Sequence, residues 1–100
     1  MREDRQRLDK WLWFARFAKS RTLAAKLVAS GDVRVNGQRT DSAAKAIAVG
    51  DVVTIALARA TVLVRVADLG VRRGPAPEAR QLYVEIGPDD GTLVSDNGNS

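Results

Sequence analysis

The sequence predicts an α+β domain: two short N-terminal helices packed on a small, mostly antiparallel sheet, followed by a short C-terminal extension. Three observations carry that prediction. Apolar residues recur at helical spacing through residues 7–18 and again through 23–28, then alternate with polar residues from Val33 onward. Asn36-Gly37 stands between the first extended segments, where it supplies a tight hairpin turn. Finally, 45% of the 100 residues are hydrophobic, enough for one small core and one domain.

The elements follow in order. Leu8, Trp11, Leu12, Ala15 and Ala18 gather on one side of a first helix, with Asp9 and Arg16 flanking the stripe. Lys10, Trp13 and Phe17 fall opposite. The two rings either stack on an exposed base or are covered by residues 71–86, and cover is the favoured reading. A break comes at Lys19-Ser20, where the Ser20 hydroxyl caps a second helix whose apolar face is Leu23, Ala24, Leu27 and Val28. Gly31 suits the position just past its end. At two to three turns, neither helix persists alone in water, so both must be packed.

Val33 and Val35 then alternate with Arg34 ahead of the Asn36-Gly37 turn and a return through Gln38-Arg39-Thr40. Residues 41–49 read as a connector or a short turn of helix, and Gly50-Asp51 as a second turn. Val52 to Leu57 forms a strand with Val53 and Ile55 inward, and Val62, Val64 and Val66 mark the next. Arg72-Arg73 precede a stiff loop, Gly74-Pro75-Ala76-Pro77, which holds them at reduced entropic cost to binding. Glu78 to Ile86 docks as a short helix, a strand or both. The domain is therefore expected over 7–86, with an extension at 68–86. A flexible arm is expected over 1–6, and a mobile tail over 87–100, which holds three acids and no base.

Composition narrows the function. There are no cysteines and no histidines, which removes disulfide scaffolds, zinc fingers, thiol nucleophiles and imidazole bases together. The remaining acids are scattered, with no phosphate-cradling glycine loop and no metal-ligand cluster, so neither an enzyme nor a cofactor or metal site is expected. Asp9 is read as fixing the start of the first helix and orienting a neighbouring arginine, not as a catalytic acid. The 16 Lys and Arg exceed the 12 Asp and Glu by 4. Residues 1–50 hold 11 bases and 5 acids, whereas 51–100 hold 5 and 7. A basic half in so small a chain points to an anionic partner, most often nucleic acid. No leader or membrane segment is evident, so a cytoplasmic location and no membrane partner are expected. A monomer is the expected state, since no exposed apolar strip is evident once helices and sheet are assembled.

Helix ends and a hairpin brought together would project Lys10, Lys19, Arg21, Lys26, Arg34 and Arg39 onto one surface facing phosphates. Asn36 could add a hydrogen bond, although making the turn is its simpler role. Arg7 serves either the same surface or a pair with Asp9 or Asp32. Arg16 serves either that surface or an intramolecular salt bridge. Arg72 and Arg73 complete the candidate set. The second helix offers mainly Ala, Leu and Val, poor equipment for reading a DNA major groove, which leaves DNA binding secondary.

The run from Arg7 to Gly37 resembles the alpha-L RNA-binding motif of the ribosomal protein S-four type. It does so through Arg7-Leu8-Asp9-Lys10-Trp11-Leu12-Trp13, Arg16-Phe17, Lys19-Ser20-Arg21 and Val35-Asn36-Gly37. With Arg72-Arg73-Gly74-Pro75-Ala76-Pro77-Glu78-Ala79, the chain is similar over roughly 7–86 to the family of bacterial ribosome-associated heat-shock proteins of fifteen kilodaltons. The resemblance implies a non-catalytic binder of ribosomal RNA on the large subunit. It acts where a nascent chain on transfer RNA obstructs that subunit, and so assists recycling or rescue under stress. Nascent-chain quality control and general structured-RNA binding are the alternatives. The resemblance also reinforces Lys19 and Arg21 as leading phosphate contacts. Family members often extend into a long basic C-terminal helix, whereas this sequence continues into an acidic, glycine-containing segment.

Overall fold

A computed structural model describes residues 4–58 and 60–88. Strand β1 (Gln6–Arg7) leads into α1 (Leu8–Phe14), followed by α2 (Arg21–Ala29). Strands β2 (Val33–Val35), β3 (Gln38–Arg39), β4 (Ala46–Ile47), β5 (Val52–Ala56) and β6 (Thr61–Val66) follow. The extension is α3 (Ala76–Ala79), a single tight turn (Arg80–Leu82) and β7 (Tyr83–Pro88). The main sheet runs β3-β2-β5-β6-β7 with antiparallel neighbours throughout, and β1 pairs separately with β4.

Register explains the core. Val33 lies opposite Ile55, Val35 opposite Val53, and Val53 in turn opposite Val64. One face of the sheet is thus a patch of β-branched side chains, and the helices cover it. Leu8, Trp11, Leu12, Val28, Val33, Ile47, Val53, Ile55, Val64 and Val66 are all fully buried. The buried Trp11 donates its indole N–H to the Asp68 carbonyl at 3.0 Å, which satisfies its one polar atom and ties α1 to the extension.

The N-terminus of α1 has no side-chain cap. Its free N–H groups are taken up by the 41–49 connector instead: Leu8 donates to the Lys45 carbonyl at 2.9 Å and Asp9 to that of Ala43 at 3.1 Å. The connector is therefore a helix cap as well as a strand. Gln6 is correspondingly ordered, so the expected arm over 1–6 does not reach it. It pairs with Ile47, and its side-chain amide exchanges two hydrogen bonds with the Gly70 backbone, at 2.7 and 3.1 Å. Gly70 presses against the buried Phe14 ring so closely that a Cβ there would collide with it.

The first helix is shorter than its periodicity predicts, and the reason is local. Arg16 adopts a left-handed backbone, φ 68°. Phe17 N–H bonds the Leu12 carbonyl and Arg16 N–H that of Trp13, the paired bonds of a Schellman turn with arginine where glycine is usual. The accompanying apolar contact is Phe17 against Trp11, ring centres 6.1 Å apart. Arg16 Nε donates to the Gly74 carbonyl at 2.8 Å, clasping the extension onto this turn. Past the turn Phe17 meets Tyr83 of β7 at 4.8 Å, so residues 71–86 do cover it. Trp13 is half-buried and stacks on Phe14.

The second helix matches expectation at both ends. Ser20 Oγ accepts from Leu23 N–H at 3.1 Å, and Gly31 makes the left-handed turn. Its face is narrower than predicted, because Ala24 and Val28 are fully buried while Leu23 stays 47% exposed. In the extension, Gly74-Pro75-Ala76-Pro77 is the entry to α3 and not a free loop, with Pro77 inside the first turn where its missing N–H costs nothing. Strand β7 extends to Pro88, past the expected boundary at 86/87; residues 89–100 of the anticipated tail and 1–3 of the anticipated arm lie outside the described residues. Val84 and Ile86 stand exposed on this edge strand, so a monomer cannot be argued from a lack of exposed apolar side chains.

The Arg16 turn yields a prediction. Arg16→Ala keeps the unfavourable φ and loses the Gly74 clasp, and should cost about 1–2 kcal/mol in urea unfolding. Arg16→Gly loses the clasp but relieves the backbone, and should fall between Ala and the parent. The reverse order would show that the side chain, not the turn, sets stability here.

Candidate nucleic-acid interface

A buried carboxylate organises the start of both helices. Asp9, with only 5% of its side chain exposed, accepts two hydrogen bonds from Arg7, Nε at 3.1 Å and Nη2 at 3.2 Å. Arg21 Nε lies 3.6 Å from Oδ2, the oxygen that also accepts from Arg7 Nη2. Burial pushes the Asp9 carboxyl up. The Arg7 hydrogen bond, the charges of Arg7 and Arg21, and the Lys10 backbone N–H outweigh it and hold the carboxyl below its ordinary value. About half of each arginine side chain remains exposed, so the two guanidinium groups are oriented and still accessible.

From Arg21 the cationic surface continues across α2. Lys19 and Lys26 flank a hollow of about 780 Å³ between the end of the first helical turn, α2 and the β5–β6 connection. Asp32 lines both this hollow and a smaller one containing Arg34 and Gly31. The Arg39 guanidinium lies over Gly31. Arg34 and Arg39 are direct cross-strand partners on the β2–β3 hairpin. Like charges directly opposed destabilise a strand pair, and among the described residues neither arginine makes an ion pair. The fold thus sets Arg7 and Arg21 together on Asp9, and Lys19, Lys26, Arg34 and Arg39 around two hollows that share Asp32.

The other candidates lie apart from that series or are engaged within the fold. Lys10 turns along its own helix, its ammonium 5.8 Å from the Phe14 ring centre. Asn36, in a left-handed turn conformation at φ 53°, accepts from Val52 N–H at 2.9 Å and donates to Asp51 at 3.2 Å. Both ends of its amide therefore staple the hairpin to β5. Arg16 holds Gly74, through a backbone carbonyl and not through the salt bridge considered from sequence. Arg72 grips Glu78 with two hydrogen bonds, at 2.7 and 3.1 Å, and holds that carboxyl below its usual value. Arg73 is half-buried, and its Nε is buried without a partner. Sequence reasoning missed Asp32 and Leu57 as lining residues, and placed Leu23 in the core. No periodicity distinguishes these positions, because the hollow is lined jointly by segments far apart in the chain.

Among the described residues, no group of three or more acids could hold a metal ion, and no helix is long and apolar enough to cross a membrane.

Comparison with known proteins adds the following. The S4 domain family model matches residues 6–53. A heat shock protein 15 homolog of Haemophilus influenzae is 39% identical over 85 residues, covering 85% of this chain and 64% of the relative. Heat shock protein 15 of Escherichia coli K12 is 40% identical over 79 residues, covering 79% of this chain and 59% of the relative. The chain therefore spans about three fifths of the length of these relatives. The solved trimeric structure of Vibrio cholerae heat shock protein 15 superposes with a TM-score of 0.77 at 40% identity, over 82% of each chain.

The Asp9 cluster predicts a pH dependence. A carboxyl whose folded pKa is depressed contributes stability that is fully present above its unfolded value, about 3.9, and is lost as pH falls through the lower folded value. Asp9→Asn should lower the urea midpoint at pH 7, and the deficit should shrink as both proteins are acidified through that window. A deficit independent of pH would show that Asp9 acts by packing alone.

Proposed function

This chain belongs to the heat shock protein 15 family of S4-domain proteins, and we propose that it binds structured RNA on the large ribosomal subunit. The observation that carries this reading is the opposition of Arg34 and Arg39 on the exposed hairpin. Two arginines at one cross-strand pair, neither with an ion-pair partner, cost stability in the free protein, a cost that a bound anion relieves. Phosphates recur along a nucleic-acid strand, and the cationic series recurs with them, from Arg34 and Arg39 through Lys26 and Lys19 to Arg21 and Arg7. Carboxylate-fixed arginines at helix starts are pre-ordered for such contacts.

The finer reading is that the bound particle is a large subunit obstructed by a nascent chain on transfer RNA, and that the protein assists its recycling or rescue under stress. The Arg72-Arg73 extension, docked beside the first helix of the S-four-type motif, supports a second set of cationic contacts next to those of the motif. Arg72 would contribute by exchanging Glu78 for phosphate. The decisive experiment is co-sedimentation with empty large subunits, large subunits retaining peptidyl-transfer RNA, small subunits and intact ribosomes. Selective retention on the obstructed subunit is expected; equal, weak retention on all four would leave a general RNA binder.

Salt dependence checks the surface itself. Each phosphate contact contributes roughly 0.7–0.9 to the slope of log affinity against log salt. Arg34→Ala/Arg39→Ala should therefore flatten the slope for ribosomal RNA by about 1.5 while leaving urea stability equal to the parent's or higher. An unchanged slope would remove the hairpin from the interface.

A further inference from the structure

The hollow between α2 and the β5–β6 connection is amphiphilic in a way that phosphate contacts alone do not require. Its floor carries Leu23 and Leu57, respectively 47% and 36% exposed, beside Phe17, which is braced between Trp11 and Tyr83. Lys19 and Lys26 stand on its rim, and Asp32 is the acid among the described lining residues. A backbone phosphate is satisfied by the lysines but gains nothing from exposed leucines. An apolar peptide would use the leucines but would bury two ammonium groups against the single lining acid, Asp32. An unstacked nucleotide carries both complements, a flat apolar base and an adjacent anion.

We propose that this hollow receives a single unpaired nucleobase of the bound RNA, seated on Leu23, Leu57 and Phe17 with its phosphate held by Lys19 and Lys26. Asp32 repels phosphate from its side and accepts N–H groups from a base edge, so it sets which way the nucleotide enters. The hollow is continuous with the cationic series through Asp32 and Lys26, so a duplex tracked by Arg34 and Arg39 can present a bulged residue to it. This inference rests on the RNA-binding reading and adds to it a preference for irregular over fully paired RNA.

The test compares a fully paired RNA hairpin with the same hairpin carrying one bulged 2-aminopurine. Both are titrated with the parent, Leu23→Ser and Leu57→Ser. Both substitutions are at exposed positions, and retention of the fold is checked by the tryptophan emission of the free protein and the urea midpoint. The parent should bind the bulged hairpin about tenfold more tightly and shift the 2-aminopurine emission. Each variant should lose most of that preference while keeping the paired-hairpin affinity and its salt slope. Equal binding of both hairpins by the parent would overturn the base-seating inference and leave RNA binding standing. Binding of neither would overturn both. A preference that persists in the variants would also overturn the assignment. If those variants instead lose self-association in sedimentation velocity, the hollow belongs to a second copy.

Discussion

The start of both helices is organised by one buried carboxylate. Asp9 sits in the first turn of α1, nearly closed off from water, where an unpaired charge would be costly. It is tolerated because Arg7 bonds it from the preceding strand and Arg21 approaches from the first turn of α2. The requirement to neutralise one acid thereby fixes the relative placement of β1, α1 and α2. The same requirement sets two guanidinium groups at the mouth of the helix pair. The core could be built without Asp9; the orientation of the arginines could not.

A second constraint is the left-handed turn at Arg16. It stops α1 after two turns, aims Phe17 back onto Trp11, and offers a guanidinium to Gly74. With the Trp11 indole on Asp68 and the Gln6 amide on Gly70, three polar side chains of the N-terminal unit hold backbone of the 68–74 segment. The extension is thus part of the domain, docked mainly through hydrogen bonds to its main chain. That mode of docking constrains where the segment runs while leaving the side chains of Val71 and Arg72 outward.

The sequence made legible whatever depends on neighbours close along the chain. Ser20 and Gly31 bound α2 as read, Asn36-Gly37 turns the hairpin, and the alternation of Val33, Val35, Val53, Ile55, Val64 and Val66 identifies the inward face of the sheet. What it hid depends on contacts made across the fold. Arginine at the close of a Schellman turn has no compositional signal, so α1 read four residues too long. The connector at 41–49 showed no strand pattern because β4 is two residues long and its remaining task is to accept N–H groups from Leu8 and Asp9. Leu23 has the spacing of a core residue, yet it is 47% exposed and lines the hollow between α2 and the β5–β6 connection. Among the candidate site residues, the internal partners of Arg16 and Arg72 were not visible, because both lie far along the chain or depend on the docked extension.

Those internal partners sort the cations by what an incoming phosphate must displace. Arg34 and Arg39 hold no acid, and their mutual repulsion favours any anion that separates them. Arg7 and Arg21 would keep their carboxylate beside a phosphate, since Asp9 is buried and about half of each arginine side chain is exposed. For these four, a phosphate would add contacts without breaking any. Arg72 differs, because its fork already closes on Glu78 and a phosphate must compete with a carboxylate of similar geometry. Asn36 differs further: withdrawing its amide would cost the bonds to Val52 N–H and Asp51, leaving the turn held there by the Asn36 backbone N–H on the Val52 carbonyl. The residue with the clearest turn signature in the motif therefore serves the fold, by bracing the hairpin that carries Arg34 and Arg39.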